Sequence, residues 1–392
     1  MAGEPLPLAL IDLDYVDHNL GVILEAARVG HKALRLATKS VRAPAVIDHL
    51  VEASRGAIAG VMAYAVTEAA LLVEGGHTDV LVAYPSVQAS DVELLVALNA
   101  GGRAKVGIVV DCAEHLDCLE AVAAAKNVVV PVIIEVDLSL RLFGGLLHLG
   151  AYRSPLRSAA GVLALAREVR TRSHLQLDGV MGYEAQMAGV GENNPFTRAL
   201  NPVKRLVKRL SLPMIRRRRH EVRATLVADG FALRVVNGGG TGSLTTTRHE
   251  DAVTEVTVGS GFLCSHLFDY YASLRGLLPA AWFALQVVRV SDPGFVTCHG
   301  GGLIASGEPG RDRLPLPHLP PGLRLTRFEG AGEVQTPLCG RGAYELRPGD
   351  PVFFRHAKAG ELAEHFTEYL LVRGAKVVGR APTYRGLGKD FL

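Results

Sequence analysis

The sequence predicts an α/β protein, a (β/α)8 barrel followed by a mainly-β C-terminal domain. Three observations carry this. Short runs rich in Val, Ile and Ala alternate with amphipathic stretches from residue 33 to about 265. About eight of these runs lack polar alternation, so they read as strands buried on both faces. Beyond about residue 280 the helical stretches give way to extended segments set apart by Gly, Pro and Asp. Eight strand–helix units over this length fit a barrel, with a doubly wound sheet as the alternative.

In order, ALRLA (33–37) precedes the helix-patterned PAVIDHLVEA, AIAGVMAY (57–64) precedes VTEAALLVE, and DVLVAYP (79–85) precedes SDVELLVAL. KVGIVVD (105–111) leads into AEHLDCLEAVAAA, and VPVIIEVD (130–137) into GVLALAREVRT. LDGVMGY (177–183), LRVVNGGG (233–240) and VTEVTVGSG (253–261) complete the set. The barrel is assigned to residues 1–275 and the β domain to 276–392, with roughly the first 12 residues expected to pack against the latter. WFALQVVRVSD, FVTCHGGGLIAS, DPVFFRHA and YLLVRGAKVVG supply strands of the second domain, and LPLPHLPPGL (314–323) is a proline-rich loop within it.

Between the sixth and seventh strands lies VKRLVKRLSLPMIRRRRHEVRATL, whose basic residues recur at helical spacing around leucines. An amphipathic helix pair with a solvated basic face explains the 203–223 segment better than nucleic-acid binding does, since nothing aromatic interleaves with it. A net charge of +3 is too mild to argue a polyanionic partner. Five cysteines without a C-x-x-C pair suggest free thiols in a reducing compartment. The N-terminus lacks a signal-peptide pattern and no apolar run is long enough to span a bilayer, so the cytoplasm and no membrane partner are expected.

Lys39 ends RLATKS at the C-terminal end of the first strand, on the face where barrel enzymes place reacting groups. On position alone it could equally be a salt-bridged surface residue. Two glycine-rich loops change the balance: VNGGGTGS (236–243) follows the seventh strand and VGSG (258–261) the eighth. Loops at these places hold phosphate in many barrels, because glycines let backbone N–H groups approach an anion. Asn237, Gly239, Gly240, Thr241, Gly259, Ser260 and Gly261 are the candidate contacts. Pyridoxal 5′-phosphate satisfies both ends, its aldehyde forming a Schiff base with Lys39 and its phosphate resting on the glycines.

RLATKSVRAP, EVDLSLR, VNGGGTG and TEVTVGSG together resemble the motifs of fold-type III pyridoxal phosphate enzymes, whose barrel is of the alanine racemase type. Within them the chain is similar to the D-threonine aldolase and D-serine dehydratase group. Its C-terminal part, through CHGGGLIASG, EGAGEVQTPL, RHAKAGEL and PTYRG, looks most like a branch labelled amino acid deaminase/aldolase. The resemblance implies that Lys39 carries the cofactor and shuttles protons, and that Arg141 faces the cofactor phenolate, although Arg141 could instead be a partner for Asp137. It also implies that Tyr183 and Glu184 bound the ring or reach the substrate. Glu184 departs from a histidine often seen there.

The metal-dependent members of the group carry a His-x-Asp or His-x-Cys pair that aligns with His356 and the position two further on, which here is Lys358. A protonated lysine cannot ligate a divalent cation and repels one. A manganese or zinc site on His356, helped by Glu361 or a glutamate from EGAGE, therefore stands beside the reading of His356 as an ordinary hydrogen-bonded histidine. The implied activity is that of a lyase on D-β-hydroxy amino acids, by retro-aldol cleavage or by dehydration and deamination. An amino acid racemase is the alternative, needing a second-face tyrosine that the motifs do not place, though Tyr344 and Tyr384 exist. A non-catalytic cofactor carrier or binding module is the third. The resemblance further implies a homodimer with shared active sites acting on a small amino acid, with no nucleic acid.

Overall fold

A computed structural model describes residues 3–273 and 275–391. Eight parallel strands close a barrel: Ala33–Ala37, Ile58–Ala63, Asp79–Val82, Lys105–Val110, Val130–Glu135, Leu175–Gly182, Val235–Gly238 and Glu255–Val258. Each corresponds to one of the eight apolar runs in the sequence. The last strand pairs with the first, Val258 opposite Leu36, so no edge is left open.

The connecting helices follow their local signals. Pro44 opens Pro44–Ala53 at the first turn, where a missing N–H costs nothing. Asn127 closes Ala113–Lys126 in the left-handed conformation that asparagine tolerates. The interior carries an ion network at the strand starts. Arg35, 1% exposed, reaches Glu255 at 2.7 Å and Asp79 at 2.9 Å. Arg234 joins Asp79 and Asp178 at 2.6 Å each. These pairs fill the barrel's lower end with groups that satisfy one another, as buried charge requires.

The basic segment departs from the helix pair read in the sequence. It forms one helix, Asn201–Ala228, that runs through Pro213. Buried Ile215, Val222 and Leu226 continue its inward face beyond the proline, and that packing carries the helix across the lost hydrogen bond. Another feature invisible to strand periodicity is a small hairpin after the fifth barrel strand, Leu140–Leu142 against Leu147–Leu149.

The second domain is a nine-stranded sheet. Its centre includes the N-terminal strand Leu8–Asp12, antiparallel to Ala281–Asp292 and parallel to Glu368–Arg373. The two chain ends are thereby locked into one sheet. Asp12 then caps the first helix, Leu13–Val29, by accepting from the Asp14 and Tyr15 amides. The sheet packs down onto the barrel mouth: a Cβ at Gly360, whose φ is +86°, would stand 2.0 Å from the Lys39 carbonyl oxygen. Only glycine permits that contact. No helix among the described residues is long and apolar enough to cross a membrane.

Candidate active site

The C-terminal ends of the barrel strands and the second domain enclose a cleft of about 1340 Å³. At its floor is an inner cavity of about 110 Å³, lined by Lys39, Tyr84, Arg153, Tyr183, Asn237 and the two glycine loops. Lys39 sits in a single 3-10 turn, Thr38–Ser40, directly after the first strand. The turn is pinned on both sides: Thr38 Oγ1 lies 2.6 Å from Glu68 Oε1, and the Arg42 Nε donates to the Lys39 carbonyl at 3.0 Å. The Lys39 side chain remains open to the cleft while protein surrounds it on most sides. That desolvation presses its pKa below the ordinary lysine value; Tyr84 opposes the shift, and Arg153 and Lys358 add to it. The amine is thus biased toward the neutral, nucleophilic form.

Beside Lys39, the loops after strands seven and eight close in. Gly239 has φ +90°, a conformation that L side chains rarely adopt. Its N–H donates to Glu184 Oε2 at 3.2 Å, and the Gly240 N–H donates to Ser243 Oγ at 3.1 Å. A Cβ at Gly240 would come within 2.9 Å of the Ala188 Cβ, and one at Gly259 within 2.7 Å of the Ala37 carbonyl oxygen. The Ser260 and Ser40 hydroxyls meet at 3.1 Å, linking this cradle to the lysine turn.

Of the residues singled out in the sequence, the inner cavity gathers Lys39, Tyr183, Asn237, Gly239, Gly240, Thr241, Gly259 and Ser260. Gly261 lies just behind, its N–H held by Thr241 Oγ1 at 3.0 Å. Burial drives the Tyr183 hydroxyl up to about 12, partly offset by Arg153. Asn237 donates to Glu255 at 2.7 Å and so connects the cavity floor to the ion network below.

Three placements differ from the sequence expectation. Arg141 is exposed on the small hairpin, where its Nε donates to His148 at 3.0 Å, and it lines neither cavity. It is not Asp137's partner either, since Arg157 fills that place at 2.9 Å. The arginine in the cavity is Arg153, which donates to Tyr84 at 3.0 Å and lies 5.1 Å from both the Tyr84 and Tyr183 rings. Strand periodicity could not find it, because it sits in the irregular return from that hairpin. Tyr84 did carry a signal: it ends the third apolar run, on the same face as Lys39.

Glu184 is the second departure. It faces away from substrate space, buried beneath the cradle, where Ser243 at 2.8 Å, Thr247 at 2.6 Å and Arg219 all donate to it. Burial works to raise its pKa, but Arg219 and the two hydroxyls outweigh that and hold the carboxyl below its ordinary range. Arg219 also binds Glu250 at 2.9 Å and the Gly182 carbonyl at 2.7 Å. The basic helix thus contributes a strut beneath the glycine loop.

His356 is the third. It is buried, 3% exposed, in the second domain. Neither ring nitrogen makes a hydrogen bond of normal geometry; the one approach is a weak contact toward the Ala281 backbone. Burial pushes its pKa down to about 3, and His266 and Arg355 add to the effect. Among the described residues, three potential metal ligands come within reach of one another only at Asp111, Cys112 and His115, after the fourth strand. His356 has no such company, and Lys358 beside it is cationic. The donor set does not fit a divalent ion here. Lys358 lines the outer cleft, bonded to Ser306 Oγ at 2.6 Å and paired with Glu361 at 3.3 Å.

The model of the alanine racemase N-terminal domain family matches residues 11–261, the whole barrel. The chain belongs to that family. It is 25% identical over 257 residues to 3-hydroxy-D-aspartate aldolase of Paracoccus denitrificans, a match covering 65% of this chain and 59% of that relative. The match therefore spans less than two thirds of the relative's length. Among solved structures, D-threonine aldolase from Filomicrobium marinum superposes with a TM-score of 0.83 at 20% identity, covering 98% of this chain and 96% of that one. D-threo-3-hydroxyaspartate dehydratase from Delftia sp. HT23 gives 0.77 at 20% identity, over 97% and 98%. A variant dehydratase of that name in a metal-free form gives 0.76 at 20% identity, over 97% and 98%. These superpositions extend the common fold through the second domain. Pyridoxal phosphate is the cofactor expected of the family, and the cavity's lining suits it: the Lys39 amine, the glycine loops beside it, and tyrosine rings with Met62, Ala83 and Met181 around them.

Proposed function

We propose that the chain is a pyridoxal 5′-phosphate-dependent lyase acting on D-configured β-hydroxy amino acids. The observation that carries the reading is the convergence of Lys39 and the two glycine loops on one cavity, beneath a charged rim supplied by the second domain. The names of the relatives, aldolases and dehydratases of such amino acids, support the substrate class. When bound, the cofactor supplies an aldehyde that captures amines and a conjugated ring that accepts the electron pair released at Cα.

The chain's own residues do the rest. Lys39, its pKa pressed below the ordinary lysine value by burial, presents an amine biased toward its neutral form at the cavity wall and can carry a proton at the substrate Cα. Gly239, Gly240, Thr241, Gly259 and Ser260 line the cavity and would face the cofactor's phosphate. Arg153, held between Tyr84 and Tyr183, keeps both rings in place and brings a fixed positive charge to the cavity. In retro-aldol cleavage the Cα–Cβ and β-O–H bonds break while a carbonyl and a Cα–H bond form, giving an aldehyde and glycine. In dehydration the Cα–H and Cβ–O bonds break, water leaves, and the enamine hydrolyses to a keto acid and ammonia. Neither needs an oxidant or reductant.

A racemase would need an acid–base group on the second face. Tyr384 is buried on Glu68 at 2.8 Å, and Tyr344, 68% exposed, packs by Gly294. Neither lines the cleft. We place the enzyme in the cytoplasm, as a homodimer. Free thiols at all five cysteines support the compartment, and the half-open cleft leaves room for a second subunit's contribution.

The test is to incubate the holoenzyme with D- and L-β-hydroxy amino acids and assay glycine, ammonia and enantiomer exchange separately. Glycine or ammonia from D-substrates is expected. Enantiomer exchange alone would support a racemase instead.

A further inference from the structure

Resting on that lyase reading, we propose that the Lys358 ammonium, held at the cleft rim by Ser306 and Glu361, meets the negative charge that develops on the substrate β-oxygen, and that no divalent cation takes this role in this chain. Three observations converge on Lys358.

The first is place. Lys358 shares the cleft with Lys39, reaching over the barrel mouth from the second domain. Gly360, two residues on, touches the Lys39 carbonyl and fixes the height of this segment above the lysine turn. The two ammonium groups are close enough that Lys358 helps depress the Lys39 pKa.

The second is construction. Lys358 Nζ donates to Ser306 Oγ at 2.6 Å and pairs with Glu361 Oε1 at 3.3 Å. Glu361 in turn accepts from the Ser306 N–H at 2.9 Å and from its hydroxyl. Chiefly through these Ser306 bonds, against the opposing effect of burial, the carboxyl is held below its ordinary range. Glu361 therefore stays ionised beside the Lys358 amine. An ammonium has three donors and these partners use two, so one remains for the cleft, and the side chain is 45% exposed toward it.

The third is the mismatch with a metal. His356 lies two residues away, but it is buried without a companion ligand set, and the Arg355 guanidinium stands beside it. Charge stabilisation at the β-oxygen is common to both lyase reactions: an alkoxide forms in cleavage and a hydroxide departs in dehydration. A fixed ammonium can supply it electrostatically, neither gaining nor losing a proton.

The experiment uses full-length holoenzyme. Wild type, Lys358→Met and Lys358→Cys are assayed on the D-β-hydroxy amino acid panel before and after EDTA, with metal content by mass spectrometry and cofactor occupancy by absorbance. Lys358→Cys is also alkylated with bromoethylamine, which rebuilds an ammonium of nearly the same reach, and wild type treated alike is the control. Expected are wild-type turnover that survives EDTA without stoichiometric manganese or zinc, and a fall of about 100-fold or more in Lys358→Met, the scale of losing one electrostatic donor. Cofactor occupancy should be retained, and alkylated Lys358→Cys should regain activity that the unalkylated form lacks. A lysine that only braces Ser306 and Glu361 would show its loss in the denaturant midpoint and leave turnover per folded, cofactor-loaded enzyme within a few-fold of wild type. If EDTA abolishes wild-type turnover and manganese or zinc restores it, or if Lys358→Met stays within a few-fold of wild type, the inference is overturned while the lyase reading stands. If wild type turns over no panel member, the lyase reading fails and the inference falls with it.

Discussion

A Cβ at Gly240 would stand 2.9 Å from the Ala188 Cβ and 3.2 Å from Tyr183 Cε2, so a larger side chain can enter only by displacing a ring that lines the inner cavity. Overpacking of this kind costs about 1–3 kcal/mol, and a ring pushed into the inner cavity takes space that the cofactor would need. Gly240→Val is therefore expected to fold and to hold pyridoxal phosphate roughly 10- to 100-fold more weakly, measured by absorbance after dialysis against graded cofactor. Unchanged affinity would reduce the glycine loop to a turn. At this scale the sequence was a good guide where residues end a strand. Lys39, Tyr183 and the glycines follow directly from apolar runs, and their cavity is the barrel's fixed geometry. It was a poor guide for Arg141. EVDLSLR predicts a strand-end arginine, but the chain leaves the barrel at Val136 and folds a hairpin, so Arg141 points to solvent and Arg153, from the return leg, takes the inner position.

The eight barrel strands were legible because burial on both faces writes a continuous apolar run. The helix Asn201–Ala228 was only half legible. Its basic residues look like a solvated face, and several are. Lys208 instead pairs with Glu192, Arg218 donates to the Asp137 carbonyl at 2.6 Å, and Arg219, 5% exposed, binds Glu184, Glu250 and the Gly182 carbonyl beneath the glycine loop. One arginine among RRRR carries no local mark of burial. Only the packing of Ile215 and Val222 on the barrel determines which of the four turns inward. Glu184 was misjudged for the same reason. Its position at a strand end implies a reacting group, but the side chain meets a cation arriving from a distant helix and becomes scaffold.

Across the whole molecule, the two domains meet at Glu68. This glutamate is fully buried, within 2.6 Å of Thr38 Oγ1 in the lysine turn and 2.8 Å of the Tyr384 hydroxyl from the C-terminal tail. Burial raises its pKa from an ordinary 4.5 to about 7, against hydrogen bonds from Thr38, Tyr64 and Tyr384. Thr38 also lies 2.8 Å from the Met62 carbonyl. One hydroxyl proton cannot serve both acceptors, but a protonated Glu68 donates to Thr38 and resolves the conflict. Because the folded form holds its proton to higher pH than the unfolded chain, stability is greatest at the acidic end. It declines as pH rises from about 4.5 to about 7, by on the order of 3 kcal/mol at most. Glu68→Gln removes the titration, so its denaturant midpoint should gain on wild type across that window. A difference flat with pH would show that Glu68 is ionised throughout.

The central claim is that the barrel cavity is a pyridoxal phosphate site built on Lys39, and reductive trapping tests it most directly. Purified protein loaded with the cofactor is treated with borohydride, digested, and read by mass spectrometry beside a Lys39→Ala control. The account predicts a yellow protein that bleaches on reduction, with a phosphopyridoxyl group fixed on the peptide carrying Lys39 and none fixed in the control. A colourless protein that takes up no added cofactor, or label spread over surface lysines and undiminished in Lys39→Ala, would contradict it.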